Sequence, residues 1–349
     1  MTQQIPHSTT SANIPAVTRR QTLRRIVAGA ALWGMGGANL AAAAGQDGQT
    51  SDGLTGESAP EETLLTYSDA KTQRYRCGLE LDTRRAQCRN VVATFPLPRV
   101  WPEQEVRLIE SNIDPLFSRW QQRDLDGLVS QFVSQAVSVP PGTIASALFT
   151  FELTRYRITG PTETDSLIAP KRPDRDLRQF LASSPYIDPG SARIRAAVRE
   201  INETPASTDW ARVETVYDWV RDKVSYVEGD IKSADDALKD GTGDCEELTS
   251  VFIAICRAMR IPARMVHVLM HCYPEFYLED AEGVGHWIPC QAAGTRMFGS
   301  MEEYRPILQK GDRFKTPEQP LRRYVAEFFR AGAVRGGDPS PRFVQELLD

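Results

Sequence analysis

Among 349 residues, the six cysteines and four histidines carry the side chains best suited to act as nucleophile, base or metal ligand. Cys245 is placed unlike the rest. It follows Gly241-Thr242-Gly243-Asp244 and opens the run Cys245-Glu246-Glu247-Leu248. The two glycines supply a turn, and Asp244 is a residue type that caps helix N-termini. Beyond it, Leu248, Val251, Phe252, Ile255, Cys256 and Met259 recur at helical spacing and form one apolar face. Cys245 therefore falls in a first helical turn, where the helix dipole and unsatisfied backbone N–H groups favour an anion such as a thiolate. Two readings follow from position alone: an activated nucleophile, or a small buried hydrophobe.

A nucleophilic thiol needs a base. His271-Cys272-Tyr273-Pro274-Glu275-Phe276-Tyr277-Leu278 reads as a strand, with Pro274 suggesting an edge or a bulge. Glu279 to Gly285 is a polar loop, and His286-Trp287-Ile288-Pro289-Cys290-Gln291 is a second strand. A hairpin centred near Ala281 sets His271 opposite Gln291 on one face and Cys272 opposite Cys290 on the other. Cys272 and Cys290 then form a cross-strand pair, reduced or bridged. His286, the rival base, faces Phe276 in this register, while Glu275 points to the other face. His267 reads as structural. The cysteine and histidine spacings give neither a C-x-x-C pair nor an H-E-x-x-H helix, so no metal and no cofactor is expected.

Taken together, Gly-Asp-Cys-Glu-Glu-Leu, the apolar helix, Arg260-Ile261-Pro262-Ala263-Arg264, His271-x-x-x-Glu275-Phe276-Tyr277 and Gly285-His286-Trp287-Ile288-Pro289-Cys290-Gln291 resemble the bacterial transglutaminase-like superfamily, a papain-related group. The resemblance spans roughly residues 190 to 295. It implies that a thiol nucleophile is activated by a strand-borne histidine, which an acid on the next strand orients. Cys245 matches the nucleophile and His271 the base. The acid position falls on Gln291, a departure. An amide oxygen can accept an Nδ1–H bond from the imidazole but brings no full negative charge. The implied chemistry is acyl transfer from a protein or peptide amide, to water or to an amine. The competing class is a binding or scaffold module that keeps the fold without the chemistry.

The elements expected to position these residues make an α+β chain with a papain-like core, a helix-borne cysteine packed on an antiparallel sheet. A β-rich, sandwich-like unit over 63–160 precedes it. The core spans 174–300, with helices at Ser191–Ile201 and at Thr208–Val224, and an extension follows over 301–349. Within the extension, Leu321 to Ala331 reads as a helix carrying Tyr324, Val325, Phe328 and Phe329. In the first unit, a turn at Asp82-Thr83 would place Cys77 opposite Cys88, as a cross-strand disulfide or as two half-buried thiols.

The first 44 residues read as a twin-arginine signal peptide: Thr18-Arg19-Arg20-Gln21-Thr22-Leu23, an apolar stretch from Ile26 to Leu40, then small residues suited to cleavage. Residues 45–62 read as a disordered spacer. Localisation outside the cytoplasmic membrane follows, with membrane contact only during export. With 41% hydrophobic and 25% charged residues and a net charge of −5, the composition is that of a soluble globular protein. No basic patch beyond the N-terminus marks a nucleic-acid partner.

Overall fold

The computed structural model describes residues 64–348. The expected signal peptide and spacer lie outside the described residues. Six strands come first: β1 (Thr66–Asp82), β2 (Gln87–Leu97), β3 (Gln104–Ile113), β4 (Arg119–Leu125), β5 (Val129–Val139) and β6 (Ile144–Thr159). Five α-helices follow: α1 (Arg175–Arg178), α2 (Ala192–Ile201), α3 (Asp209–Lys223), α4 (Ala234–Asp240) and α5 (Cys245–Ala258). The short strands β7 (Ser225–Tyr226) and β8 (Thr242–Gly243) lie among them. The chain ends in β9 (Ala263–Val268), β10 (His271–Glu279), β11 (Gly285–Gln291), β12 (Met297–Phe298), β13 (Ile307–Lys310), β14 (Phe328–Arg335) and β15 (Ser340–Leu348). The fold is α+β with mostly antiparallel sheets.

Two four-stranded sheets, β15-β1-β6-β3 and β14-β2-β5-β4, pack face to face. Tyr75, Leu79, Phe95, Phe132, Phe149 and Phe329 fill the space between them. This sandwich corrects the expected β1–β2 hairpin. β1 pairs with β6 and β15, while β2 pairs with β5 and β14. The chain crosses from one sheet to the other after Asp82. Thr83 is fully buried there, and its hydroxyl donates to the carbonyls of Pro140 (2.8 Å) and Thr143 (3.0 Å). Cys77 therefore lies opposite Phe149 and Gln345, and Cys88 opposite Val139 and Val334. Both are buried thiols on different sheets.

The helix expected at Leu321–Ala331 is also corrected. Phe328 to Arg335 is a strand, extending the second sheet at β2 with Phe329 opposite Ala93. Strand alternation sends Phe329 and Ala331 into the core and leaves Arg330 exposed. The apolar residues read as helical are thus shared between this strand and the loop before it.

A third sheet, β12-β11-β10-β9-β13, carries α5 against it. Val251, Phe252 and Ile255 of the helix share a core with Cys272, Phe276 and Ile288 of the sheet. α3 covers the same core through Val213, Val216 and Val220. Leu269 and Leu308, from the far end of this sheet, insert into the sandwich core.

Candidate active site

α5 begins at Cys245, as the sequence predicts. Asp244 is its N-cap and accepts from the Glu246 N–H at 2.8 Å. Glu247 reaches back to the Asp244 N–H at 2.9 Å, completing a capping box. Such a cap contributes about 1 kcal/mol and fixes the entry of the chain into the helix. It also explains Gly243, because a Cβ there would stand 2.4 Å from the Glu247 Cβ. The segment before the helix is held by parallel pairing of β8 with β7, where the Val227 N–H donates to the Gly243 carbonyl at 2.8 Å. Cys245 is half-buried in this clamped turn.

β10 starts beside that turn. The Cys272 Sγ–H donates to the Cys245 carbonyl at 3.4 Å and lies 3.9 Å from the Thr249 hydroxyl. His271, the preceding residue, is the first of β10 and is half-buried. Leu269 and Met270 form the tight turn from β9, with His271 opposite Val268 and Met270 at φ +64°. The histidine thus follows a turn clamped on both sides, since the Leu269 N–H donates to the Pro306 carbonyl at 3.0 Å.

His271 Nε2 and Gln291 Oε1 are 2.9 Å apart. The two residues are not direct cross-strand partners. The β10–β11 ladder pairs Glu275 with Pro289 and Glu279 with Gly285, a register two residues removed from the expected one. A two-residue slip keeps every side chain on its face, so His271 and Gln291 still meet on one side. Pro274 and Pro289 lack an N–H and mark where the ladder ends. Past them the strands part, and the long Gln side chain spans the gap. The imidazole nitrogen that meets the amide is Nε2, where the sequence reading had Nδ1.

α3 fixes Gln291 by its backbone. The Tyr217 hydroxyl donates to the Gln291 carbonyl at 2.8 Å and accepts from the Met297 N–H at 2.9 Å. Arg221 adds a bond to the same carbonyl at 3.1 Å. Burial pushes the Tyr217 phenol up to about 12, so the proton it donates stays in place. Tyr217 falls within the helix expected at Thr208–Val224, and its hydroxyl role has no sequence signal.

The slip revises the rival histidine. His286 pairs with Leu278, not Phe276, at the other end of β10 from His271. Its Nε2 lies 2.7 Å from Asp280 Oδ2. That hydrogen bond holds the Asp280 carboxyl below its usual range. Asp280 lies in the polar loop expected at Glu279–Gly285 and has no sequence signal as a partner for His286. The expected Cys272–Cys290 pair is also revised. Cys290 lies opposite Phe298 of β12 and is a buried thiol, while the Cys272 sulfur turns to α5. His267 is buried in β9 with its ring 5.0 Å from that of Tyr324.

The β12–β13 loop carries a partly buried ion pair. Arg305 donates to Glu303 through Nε at 2.8 Å, through its backbone N–H at 2.9 Å and through Nη2. Burial pushes the Glu303 carboxyl up, but the bonds and charge of Arg305, with the charge of His271, outweigh it and leave the group below its usual range. Burial likewise opposes the Arg305 charge, and Glu303, Cys245 and Cys272 outweigh it. Neither residue has a motif that flags it in the sequence.

Residues 195–292 match the family model of the transglutaminase-like superfamily. This span is a transglutaminase-like core. It contains Cys245, His271 and Gln291. Among solved structures, the chain is similar to a protein from Cytophaga hutchinsonii whose cysteine-protease activity is itself proposed. The TM-score is 0.53 at 18% identity, over 82% of this chain and 93% of that one. That likeness covers sandwich and core together and speaks to fold. A proposed protease from Parabacteroides distasonis aligns at a TM-score of 0.27 and 11% identity, over 67% of this chain and 48% of that one, too loosely to bear on the fold. No curated protein matches the chain.

Proposed function

We propose that the chain is an exported thiol enzyme in which Cys245, His271 and Gln291 transfer an acyl group from a protein or peptide amide to water or an amine. The observation that carries this reading is the meeting of three elements. Cys245 opens α5, Cys272 bonds to the Cys245 carbonyl, and His271 beside Cys272 meets Gln291 at 2.9 Å. The Cys245 thiolate attacks the amide carbonyl carbon, and the electron pair moves to oxygen. The Cys245 N–H stands at the first helical position, at the positive end of the α5 dipole, where a developing oxyanion is favoured. On collapse, the His271 imidazolium gives its proton to the departing amine, leaving a thioester. The imidazole then takes a proton from water or an acceptor amine as that group attacks. The thiolate is released with the acid or the new amide. Gln291 holds Nε2, which leaves Nδ1 for the thiol. Export by the twin-arginine route belongs to this proposal and rests on the N-terminal pattern alone.

A non-catalytic scaffold is the second reading, favoured by the neutral amide at Gln291. Incubation with an activated peptide ester, acid quench and mass mapping separate the two. An acyl adduct on Cys245, absent in Cys245→Ala, supports the enzyme. Full-length protein with no adduct and no turnover of esters or amides supports the scaffold.

A further inference from the structure

The second sheet of the sandwich carries a cleft of about 440 Å³ that shares no residue with α5, β10 or β11. Its floor is one row of opposed residues across all four strands. Arg119 of β4 pairs with Gln135 of β5, Gln135 with Val92 of β2, and Val92 with Arg330 of β14. Directly opposed residues on neighbouring strands share a face. That face is the outer one, because Phe329 and Ala331, on either side of Arg330, are buried in the sandwich core. At the usual strand spacing, the backbones of Arg119 and Arg330 stand about 14 Å apart, with an amide and an apolar side chain between them.

The neighbouring row makes the hollow. Asn90 has φ +50°, and both ladders skip it: Arg89 and Val91 pair with β5 and β14, and Asn90 with neither. Gly332 lies against it, so close that a Cβ on the glycine would stand 3.1 Å from the Asn90 Cβ. The missing side chain leaves space beside Arg330.

Both arginines are exposed, and among the described residues neither guanidinium has a hydrogen bond or an ion pair. Other strand arginines of the sandwich do find acids: Arg107 pairs with Glu152, Arg123 with Glu318 and Arg342 with Glu80. The described lining of the cleft holds no carboxylate at all, in a chain with 46 acidic and 41 basic residues. Two uncommitted cations thus face a hollow from which the protein's own acids are absent.

We propose that this cleft binds an acidic peptide segment, with one carboxylate on each arginine. A planar guanidinium takes a carboxylate through two parallel hydrogen bonds. Two such anchors, separated by Gln135 and Val92, match two acid groups on a short chain better than one compact anion. The amides of Gln135 and Asn90 can donate to and accept from a peptide backbone. The site stands apart from the catalytic reading and does not depend on it.

The test titrates the full-length protein by calorimetry at low salt with acetyl-Glu-Gly-Glu-amide, with its Gln-Gly-Gln counterpart and with inorganic phosphate. The diacid peptide is expected to bind at least tenfold more tightly than the amide peptide. Arg119→Gln and Arg330→Gln should each weaken diacid binding about tenfold, the loss of one charge-assisted pair. Both should keep the wild-type urea midpoint, since neither side chain is paired in the fold. Arg74→Gln, which removes an exposed charge from β1 in the other sheet, should bind as the wild type does. The inference is overturned if the diacid peptide does not bind, if the two peptides bind alike, or if Arg74→Gln costs as much as the cleft variants, the mark of general charge attraction. It is also overturned if phosphate binds as tightly as the diacid and loses as much in both cleft variants, the mark of a simple anion site.

Discussion

Gln291 bears the strain of comparison with a charged acid, and its effect can be sized. A neutral amide accepting from an imidazole contributes about 1 kcal/mol net, and a charge-assisted bond about twice that. Removing the amide with Gln291→Ala should therefore lower kcat/KM about five- to tenfold, not abolish it. Gln291→Glu should raise kcat/KM a few-fold near neutral pH, measured on the same amide or ester substrate. A Gln291→Ala enzyme as fast as wild type would mean that the Leu269–Met270 turn, held by the Pro306 carbonyl, orients the histidine without help. The helix start at Cys245 and the meeting of His271 with Gln291 were legible because each carries a local signal. Gly and Asp before Cys245 announce a helix start, and alternation in two short strands sets His271 and Gln291 on one face. The ring nitrogen that binds Gln291 was not legible, because it depends on how far the strands part beyond Pro274 and Pro289.

At the scale of elements, the Cys245 helix is pinned at both ends. Its start is the capping box, and its end is Arg257, whose side chain is fully buried. Arg257 donates to the Ala263 carbonyl through Nε and Nη2, to the Ala182 carbonyl, and to both oxygens of Asp312 at 2.9 and 2.7 Å. Asp312→Ala would strand that cation in the core, and we expect a loss of about 3–5 kcal/mol by urea unfolding. Replacing both partners by apolar residues of similar volume should cost far less, so a large loss from the single change alone is the signature. None of this was visible in the sequence, where Arg257 follows Cys256 as an ordinary helix residue and Asp312 sits in an unassigned segment. The two misread elements share this cause. The Asp82-Thr83 turn and the Phe328–Arg335 strand are decided by pairing with residues far along the chain. Local spacing at Tyr324, Val325, Phe328 and Phe329 fits a helix until β2 offers an unpaired edge.

Across the whole molecule, sandwich and core are joined by a buried chain of charges. Lys310 of β13 lies 2.6 Å from both Glu103 and Glu275, and Arg264 lies 2.7 Å from Glu275. Burial pushes the Glu103 carboxyl up, but the charges of Lys310 and Arg155 and the bonds it accepts outweigh it, leaving it below its usual range. Glu303 and Glu318 are lowered in the same direction. A carboxyl lowered by folding stabilises the folded state above its unfolded value and loses that contribution as pH falls through its folded value. The urea midpoint should thus be nearly flat from pH 7 to 5 and fall below about pH 4. A midpoint that holds at pH 3 would show that these carboxylates are not coupled to folding. The central claim concerns one sulfur and one ring, and the most direct measurement is the rate at which iodoacetamide modifies Cys245 at pH 6, with and without the imidazole. If His271 sustains a thiolate, the wild-type protein reacts at least tenfold faster than His271→Ala, because little of an ordinary thiol with a pKa of about 8.5 is ionised at that pH. Equal, slow rates in the two proteins would contradict the account.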